Sequence, residues 1–229
     1  MDGLLKLTAL CNAGILIEYD GGSILVDGIG ANFGGFTGLS PVLYQKILNR
    51  EGPFAQLRGV FFTHCHPDHF DEPRVRMLRT MRPECRFFIP NEKTLPFGCI
   101  QCGPFSVMYY ETLHMPQNFE QVRHFVLLII AGTSSMYFAS DAVLDAELHQ
   151  SLLRDAPPSY IFVNPVYLAV QETRELLSDL RPKRIFVYHI PFDMSEQNGI
   201  RRKAQRTITR YGAQLPPVTL IDTYPMKLL

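Results

Sequence analysis

The chain lacks the features that would direct it to a membrane, a polyanion or a disulfide scaffold. Its 229 residues hold 22 acidic and 22 basic side chains, so the formal charge is zero. A neutral balance gives no general attraction to nucleic acid or acidic lipid. No apolar run reaches the roughly 20 residues that a membrane-crossing helix needs. The opening residues, Met1 to Leu7, lack the basic segment, apolar stretch and small-residue cleavage site of an export signal. A soluble, cytoplasmic protein is expected. The five cysteines, at positions 11, 65, 85, 99 and 102, are an odd number and do not outline a secreted disulfide framework. Cys99 and Cys102 form a single C-x-x-C; a zinc ribbon needs four ligands, so free thiols near a turn are expected there. Internal repeats and low-complexity segments are also missing. With 46% hydrophobic residues the chain can bury one large core or two small ones.

What is present is concentrated in one stretch, Thr63-His64-Cys65-His66-Pro67-Asp68-His69-Phe70-Asp71. Three of the seven histidines fall within six positions, interleaved with aspartate. Imidazole and carboxylate suit Zn²⁺, Mn²⁺ or Fe²⁺. His64 and His66 are two apart, as on one face of an extended segment. Pro67 then forces a turn that can bring Asp68 and His69 to the same point. Cys65, between two ligand positions, should point away from the metal. The run Leu57 to Phe62 before the cluster reads as a buried strand, and Asp71-Glu72-Pro73 after it reads as a helix start, with Val75, Leu78 and Met81 on the apolar side.

The stretch resembles the His-x-His-x-Asp-His signature of the metallo-β-lactamase superfamily of metallohydrolases. That resemblance implies a single domain, residues 1–229, of α/β (α+β) class folded as a four-layer αββα sandwich. It also implies further markers in a fixed order. Asp27 follows the strand Ser23 to Val26; by itself it could simply start a loop, but it stands where the family has an Asp that holds the ligand loop in place. His114 ends the strand Phe105 to Thr112 at the position of a third metal-binding His, with His124 as its competitor. Asp141 follows a hairpin at the position of a metal-bridging carboxylate, and each of its two oxygens is expected to face one cation. Ser140 stands before it where the family commonly has Gly. His189 ends the strand Arg184 to Tyr188. One metal would take His64, His66 and His114, the other Asp68, His69 and His189, with Asp141 shared.

The implied chemistry is hydrolysis by a metal-bridging hydroxide, with Asp68 orienting it and taking its proton. The cofactors would be two divalent cations, Zn²⁺ above Mn²⁺ or Fe²⁺, and the substrate a small ester, lactone or phosphodiester. The nearest likeness is to compact bacterial hydrolases of the lactonase and phosphodiesterase branches. An iron-dependent oxidoreductase on the same fold and an RNA-processing nuclease are the alternatives. The missing export signal disfavours an antibiotic-degrading enzyme. Arg201, Arg202, Lys203, Arg206 and Arg210, on a helix expected from about Ser195 to Tyr211, look like an RNA-binding stripe, but such stripes are more often a solvated face, and a nucleic-acid partner is not expected.

Outside the markers, Asp20-Gly21-Gly22 predicts a hairpin turn. Residues 28–56 form a long loop with a short helix from about Val42 to Leu48; the loop could overhang the site and offer Phe33 or Phe36 as an apolar wall, or anchor either ring in the core. His124 and Asn164 are further candidates for the substrate pocket. Leu144, Leu148 and Leu152, four apart, predict a helix on which His149 faces solvent.

Overall fold

The computed structural model describes residues 3–115, 121–191 and 199–229. The strands are β1 (Lys6–Ala9), β2 (Ile15–Tyr19), β3 (Gly22–Val26), β4 (Leu57–Phe61), β5 (Arg86–Phe88), β6 (Phe97–Cys102), β7 (Phe105–Thr112), β8 (His124–Ala131), β9 (Ser134–Ser140), β10 (Tyr160–Val163), β11 (Arg184–Val187), β12 (Val218–Leu220) and β13 (Met226–Lys227). The helices are α1 (Pro41–Leu48), α2 (Glu72–Met81), α3 (Ala146–Leu153), α4 (Val166–Ala169), α5 (Gln171–Asp179) and α6 (Ile200–Tyr211). They build two mixed sheets, one in the order β13-β1-β2-β3-β4-β5 and the other β12-β11-β10-β9-β8-β7-β6.

The period-2 alternation of side chains determines the layering. Along β8, Phe125, Leu127 and Ile129 pack in the core between the sheets, while Val126 and Leu128 join the outer cluster under the helices. Each such buried side chain contributes roughly 1.5–3 kcal/mol. The outer face of the first sheet buries Leu16, Leu25 and Val60 against Ile47, Leu48, Val75 and Leu78 of α1 and α2. The outer face of the second buries Ile161 and Val187 with Leu153, Leu168, Leu177 and Ala204 from α3 to α6. The result is the expected four-layer αββα sandwich.

Local sequence explains most of the elements. Asp20 and Gly21, both at positive φ, close a two-residue turn with Tyr19 opposite Gly22, the geometry that the Asp-Gly pair favours. Asp71 caps α2 by accepting from Arg74 N, with Pro73 in the first turn. A register shift between β3 and β4 gives β4 one extra residue at Arg58, so that Leu57 and Val60 both face outward.

Some expectations change. Met81 is 52% exposed, because α2 turns only Val75 and Leu78 inward. His149 is buried, not solvent-facing: its Nδ1 lies 2.6 Å from the Tyr137 hydroxyl and its Nε2 2.9 Å from that of Tyr167. On α3 the buried face is His149 and Leu153, and the leucine stripe lies beside it. Cys99 and Cys102 are free thiols on β6, a strand that the sequence did not mark, ahead of the Gly103-Pro104 turn. The expected helix start at Ser195 lies outside the described residues. From Ile200 on, Arg202, Lys203, Arg206 and Arg210 are exposed, whereas Arg201 reaches inward to Pro191 O and Asp222. Among the described residues no helix is long and apolar enough to cross a membrane.

Candidate metal centre

The two sheets meet at one edge, and the C-terminal ends of their central strands deliver the ligand candidates there. His64 follows β4, His114 follows β7, Asp141 follows β9, Asn164 follows β10 and His189 follows β11. All seven expected metal ligands come together. His64, His66 and His114 form one set, His64, His69 and Asp141 a second, and Asp68, His69 and His189 a third, the ligand atoms of each lying within 4.8 Å of one another. His189 Nε2 is 3.0 Å from Asp68 Oδ2 and 3.1 Å from His69 Nε2. Cys65 is turned away, into a separate cavity with Phe70 and Val75.

Asp141 departs from the expected geometry. Its Oδ2 faces four imidazoles, 3.6 Å from His189, 3.7 Å from His64, 3.8 Å from His69 and 3.9 Å from His114. Its Oδ1 instead accepts from Asn164 Nδ2 at 3.1 Å. One oxygen, not both, is therefore presented to the ligand sets, because the other is held by an amide.

Buried hydrogen bonds set the tautomers. Asp27, fully buried, accepts from Thr63 N at 2.8 Å and Thr63 Oγ1 at 2.7 Å, and its Oδ2 lies 3.2 Å from His69 Nδ1. A proton held on that nitrogen leaves His69 Nε2 bare toward the cluster. Thr63 Oγ1, its own proton given to Asp27, accepts from His64 Nδ1 at 3.1 Å. His64 Nε2 then has no hydrogen-bond partner among the described residues although fully buried. Such an orphaned acceptor, facing other lone pairs, suits a cation.

The electrostatics differ from ring to ring. Burial pushes His64 well below the ordinary imidazole range, and its histidine neighbours add to this, so it is neutral and ready to ligate. Burial also lowers His66, and lowers His114 to about 4. For His69 burial acts in the same direction, but Asp27, Asp68 and Asp141 outweigh it and raise it to about 9. Burial raises Asp68, yet His69 and His189 hold it below the usual carboxylate range. Without a cation the three carboxylates thus favour a second proton on His69, at Nε2, the nitrogen a cation would otherwise take.

The substrate candidates separate. Phe33, Phe36 and Asn164 line a cavity of about 1060 Å³ over the cluster, together with His66, Asp68, His114, Asp141 and His189. The Phe36 ring lies 4.3 Å from that of His189, and Phe33 is 53% exposed, so neither is a core anchor. Both stand on a tight turn, paired across Gly34 and Gly35 at positive φ. Its base presses on the ligand loop: a Cβ on Gly30 would come within 1.9 Å of Asp68 O. His124 is not at the cavity. It is fully buried behind His64 and His114, at 5.2 and 5.5 Å between ring centroids, with Nδ1 bonded to Thr112 Oγ1, its neighbour across the β7–β8 pair.

Comparison with solved structures places this architecture. Over 99% of both chains it superposes on the metallo-β-lactamase fold protein YhfI from Bacillus subtilis, with a TM-score of 0.65 at 14% identity. The chain has the metallo-β-lactamase fold. A candidate metal-dependent hydrolase from Parabacteroides distasonis also shares the metallo-β-lactamase fold seen here, with a TM-score of 0.64 at 16% identity over 96% of this chain and 94% of that one. The diiron β-hydroxylase CmlA from Streptomyces venezuelae matches 98% of the chain with a TM-score of 0.64 at 13% identity, but the chain spans only 54% of that protein. No protein-family model and no curated protein matches the sequence.

Three residues of the site were given no role by the sequence. Asn12, fully buried between β1 and β2, donates from Nδ2 to Asp68 Oδ2 at 3.3 Å, and its carbonyl accepts from His189 N and the Tyr224 hydroxyl. Thr63 links Asp27, His64 and Ser140. Ser140 has φ of 50°, the left-handed region, which explains why glycine suits that position. A polar residue in an otherwise apolar β1–β2 turn was the one available hint for Asn12.

Proposed function

We propose that the protein is a metal-dependent hydrolase with two divalent cations, Zn²⁺ foremost, acting on an ester, lactone or phosphodiester. The convergence of five imidazoles and two carboxylates at one sheet edge, with His64 Nε2 buried and unpartnered, carries this reading. One cation would be held by His64, His66 and His114, the other by Asp68, His69 and His189, with Asp141 Oδ2 serving both. Cations so held lower the pKa of coordinated water and polarise the scissile oxygen.

The chain's own groups do the rest. Asp68, kept ionised by His69 and His189, accepts the proton of the attacking water and returns it to the leaving oxygen. Asn12 fixes the Asp68 carboxylate by a hydrogen bond to Oδ2. Asn164 binds Asp141 Oδ1, which leaves Oδ2 for the cations. Asp27 orients His69 and, through Thr63, His64. No side-chain nucleophile is needed.

Purified protein should carry near two metals per chain and hydrolyse a generic ester or phosphodiester. Metal content and activity both unchanged in His66→Ala would defeat this assignment. The likeness to CmlA favours one second reading, an iron-dependent oxidoreductase. Elemental analysis showing iron, with a redox reaction and no hydrolysis, would install that reading instead.

A further inference from the structure

Resting on the hydrolase reading, we infer that the substrate is an uncharged carboxylic ester or lactone carrying an apolar tail, and not a phosphodiester or another anion. The cavity, about 1060 Å³, lies at the top of the usual range for small-molecule sites. Apart from the ligand candidates and Asn164, the described residues that wall it are apolar, from Phe33 and Phe36 to Val143, Leu144, Val166 and Ile200, and among the described residues no lysine or arginine lines it. Arg201, beside Ile200, spends its guanidinium on Pro191 O and Asp222.

Charge and polarity therefore point the same way. A phosphodiester keeps a full negative charge through the reaction, and sites built for one supply cationic side chains or helix ends to its free oxygens. Here the two cations would have to serve those oxygens unaided, beside the carboxylates of Asp68 and Asp141. A carbonyl substrate needs no more than they offer, since charge develops on its oxygen only as water adds. Asn164 is not available as a polar anchor, because its amide is committed to Asp141 and Ser140 O and its Oδ1 accepts from Val166 N. What remains to recognise a substrate is apolar surface, which ends at the mouth in Phe33 and Val166, 53% and 45% exposed. In the reaction, water oxygen bonds to the carbonyl carbon and the carbon–oxygen single bond breaks. One water proton passes by way of Asp68 to the departing alkoxide, giving an acid and an alcohol with no redox partner.

The test uses the metal-loaded full-length protein and separates binding from turnover. Straight-chain methyl ketones of six to twelve carbons, uncharged and not hydrolysable, are titrated by calorimetry against alkyl phosphates of equal length. Kd for the ketones should fall about fourfold per fully buried methylene, and the phosphates should bind at least tenfold more weakly than the matching ketone. Val166→Lys should weaken the longest ketones severalfold and narrow the gap to the phosphates. In parallel, 4-nitrophenyl acyl esters should show kcat/KM rising with chain length and exceeding that of bis(4-nitrophenyl) phosphate by at least a hundredfold. Ketone binding that is flat with chain length overturns the inference whether or not the protein turns over esters, as does tighter binding of the phosphates. Chain-length-dependent ketone binding with no hydrolysis of any ester supports the apolar, uncharged recognition and counts against the hydrolase reading instead.

Discussion

The two halves of the sandwich meet at the same cluster but bring different things to it. The half built on β1 to β5 gives a contiguous run of four ligand candidates, His64 to His69, braced from behind by Asp27, Thr63 and Asn12. The half built on β6 to β12 gives His114, Asp141 and His189 singly, each from a different strand end, and most of the apolar wall, from Met115 to Ile200. On the proposed function the first half would chiefly hold cations and the second would chiefly hold what they act on. A polar network braces the ligand candidates, and an apolar surface lies opposite. Recognition can then change by substitutions on the second half without disturbing the first.

The sharpest way to break this contrast is to remove the brace. Asp27→Ala leaves Thr63 N and His69 Nδ1 buried without their acceptor, so stability should fall by roughly 3 kcal/mol and metal affinity by 10- to 100-fold. Urea unfolding and competition with a chelator would measure both; a variant that keeps its metal would show that the ligand loop orders itself. In the opposite half, Asn164→Ala frees Asp141 and should weaken metal binding by about tenfold, with less effect on unfolding than Asp27→Ala. Equal losses of stability at the two positions would erase the distinction.

Metal removal probes the same asymmetry through pH. In metal-free protein His69 is raised to about 9, so the stability it contributes is complete below its unfolded value near 6.5 and is lost as pH climbs through 9. His64 and His114 are lowered, so their contribution is present above the unfolded value and lost as pH falls below it. The chelated protein should therefore have its highest Tm near pH 6.5 and a declining one from there to 9, and the loaded protein should lose the alkaline fall because a cation replaces the proton. A Tm of chelated protein that is level from pH 6.5 to 9 contradicts the placement of the proton on His69.

The smallest expected effect is at Ser140→Gly. The change relieves a left-handed residue, worth about 1 kcal/mol, and gives up the contact to Thr63, also about 1 kcal/mol. The net should lie within roughly 0.5 kcal/mol of zero, read as an unchanged urea midpoint.

The same asymmetry governed what could be read from the sequence. The ligand loop was legible because its residues are adjacent, and the flanking strand and capped helix were legible from their own periodicity and Asp71. His114, Asp141 and His189 are isolated in the chain, and only their order at strand ends marked them. Asn12 was invisible because its role depends on the β1–β2 turn meeting Asp68 across 56 positions. His149 was misplaced since its burial is decided by the hydroxyls of Tyr137 and Tyr167, from elements that helical spacing cannot see. The strand β6 escaped notice because Gly98 and two cysteines dilute its alternation. The direction of Asp141 was wrong for a similar reason, since the amide that turns it comes from another strand.

The contact between Phe36 and His189 has one practical use. The sequence contains no tryptophan, so Phe36→Trp would put a single indole fluorophore where the phenyl ring now lies 4.3 Å from the ring of His189. Its emission, free of any other indole background, would report loading of the centre and entry of a guest molecule in real time, on a chain that otherwise shows only tyrosine light.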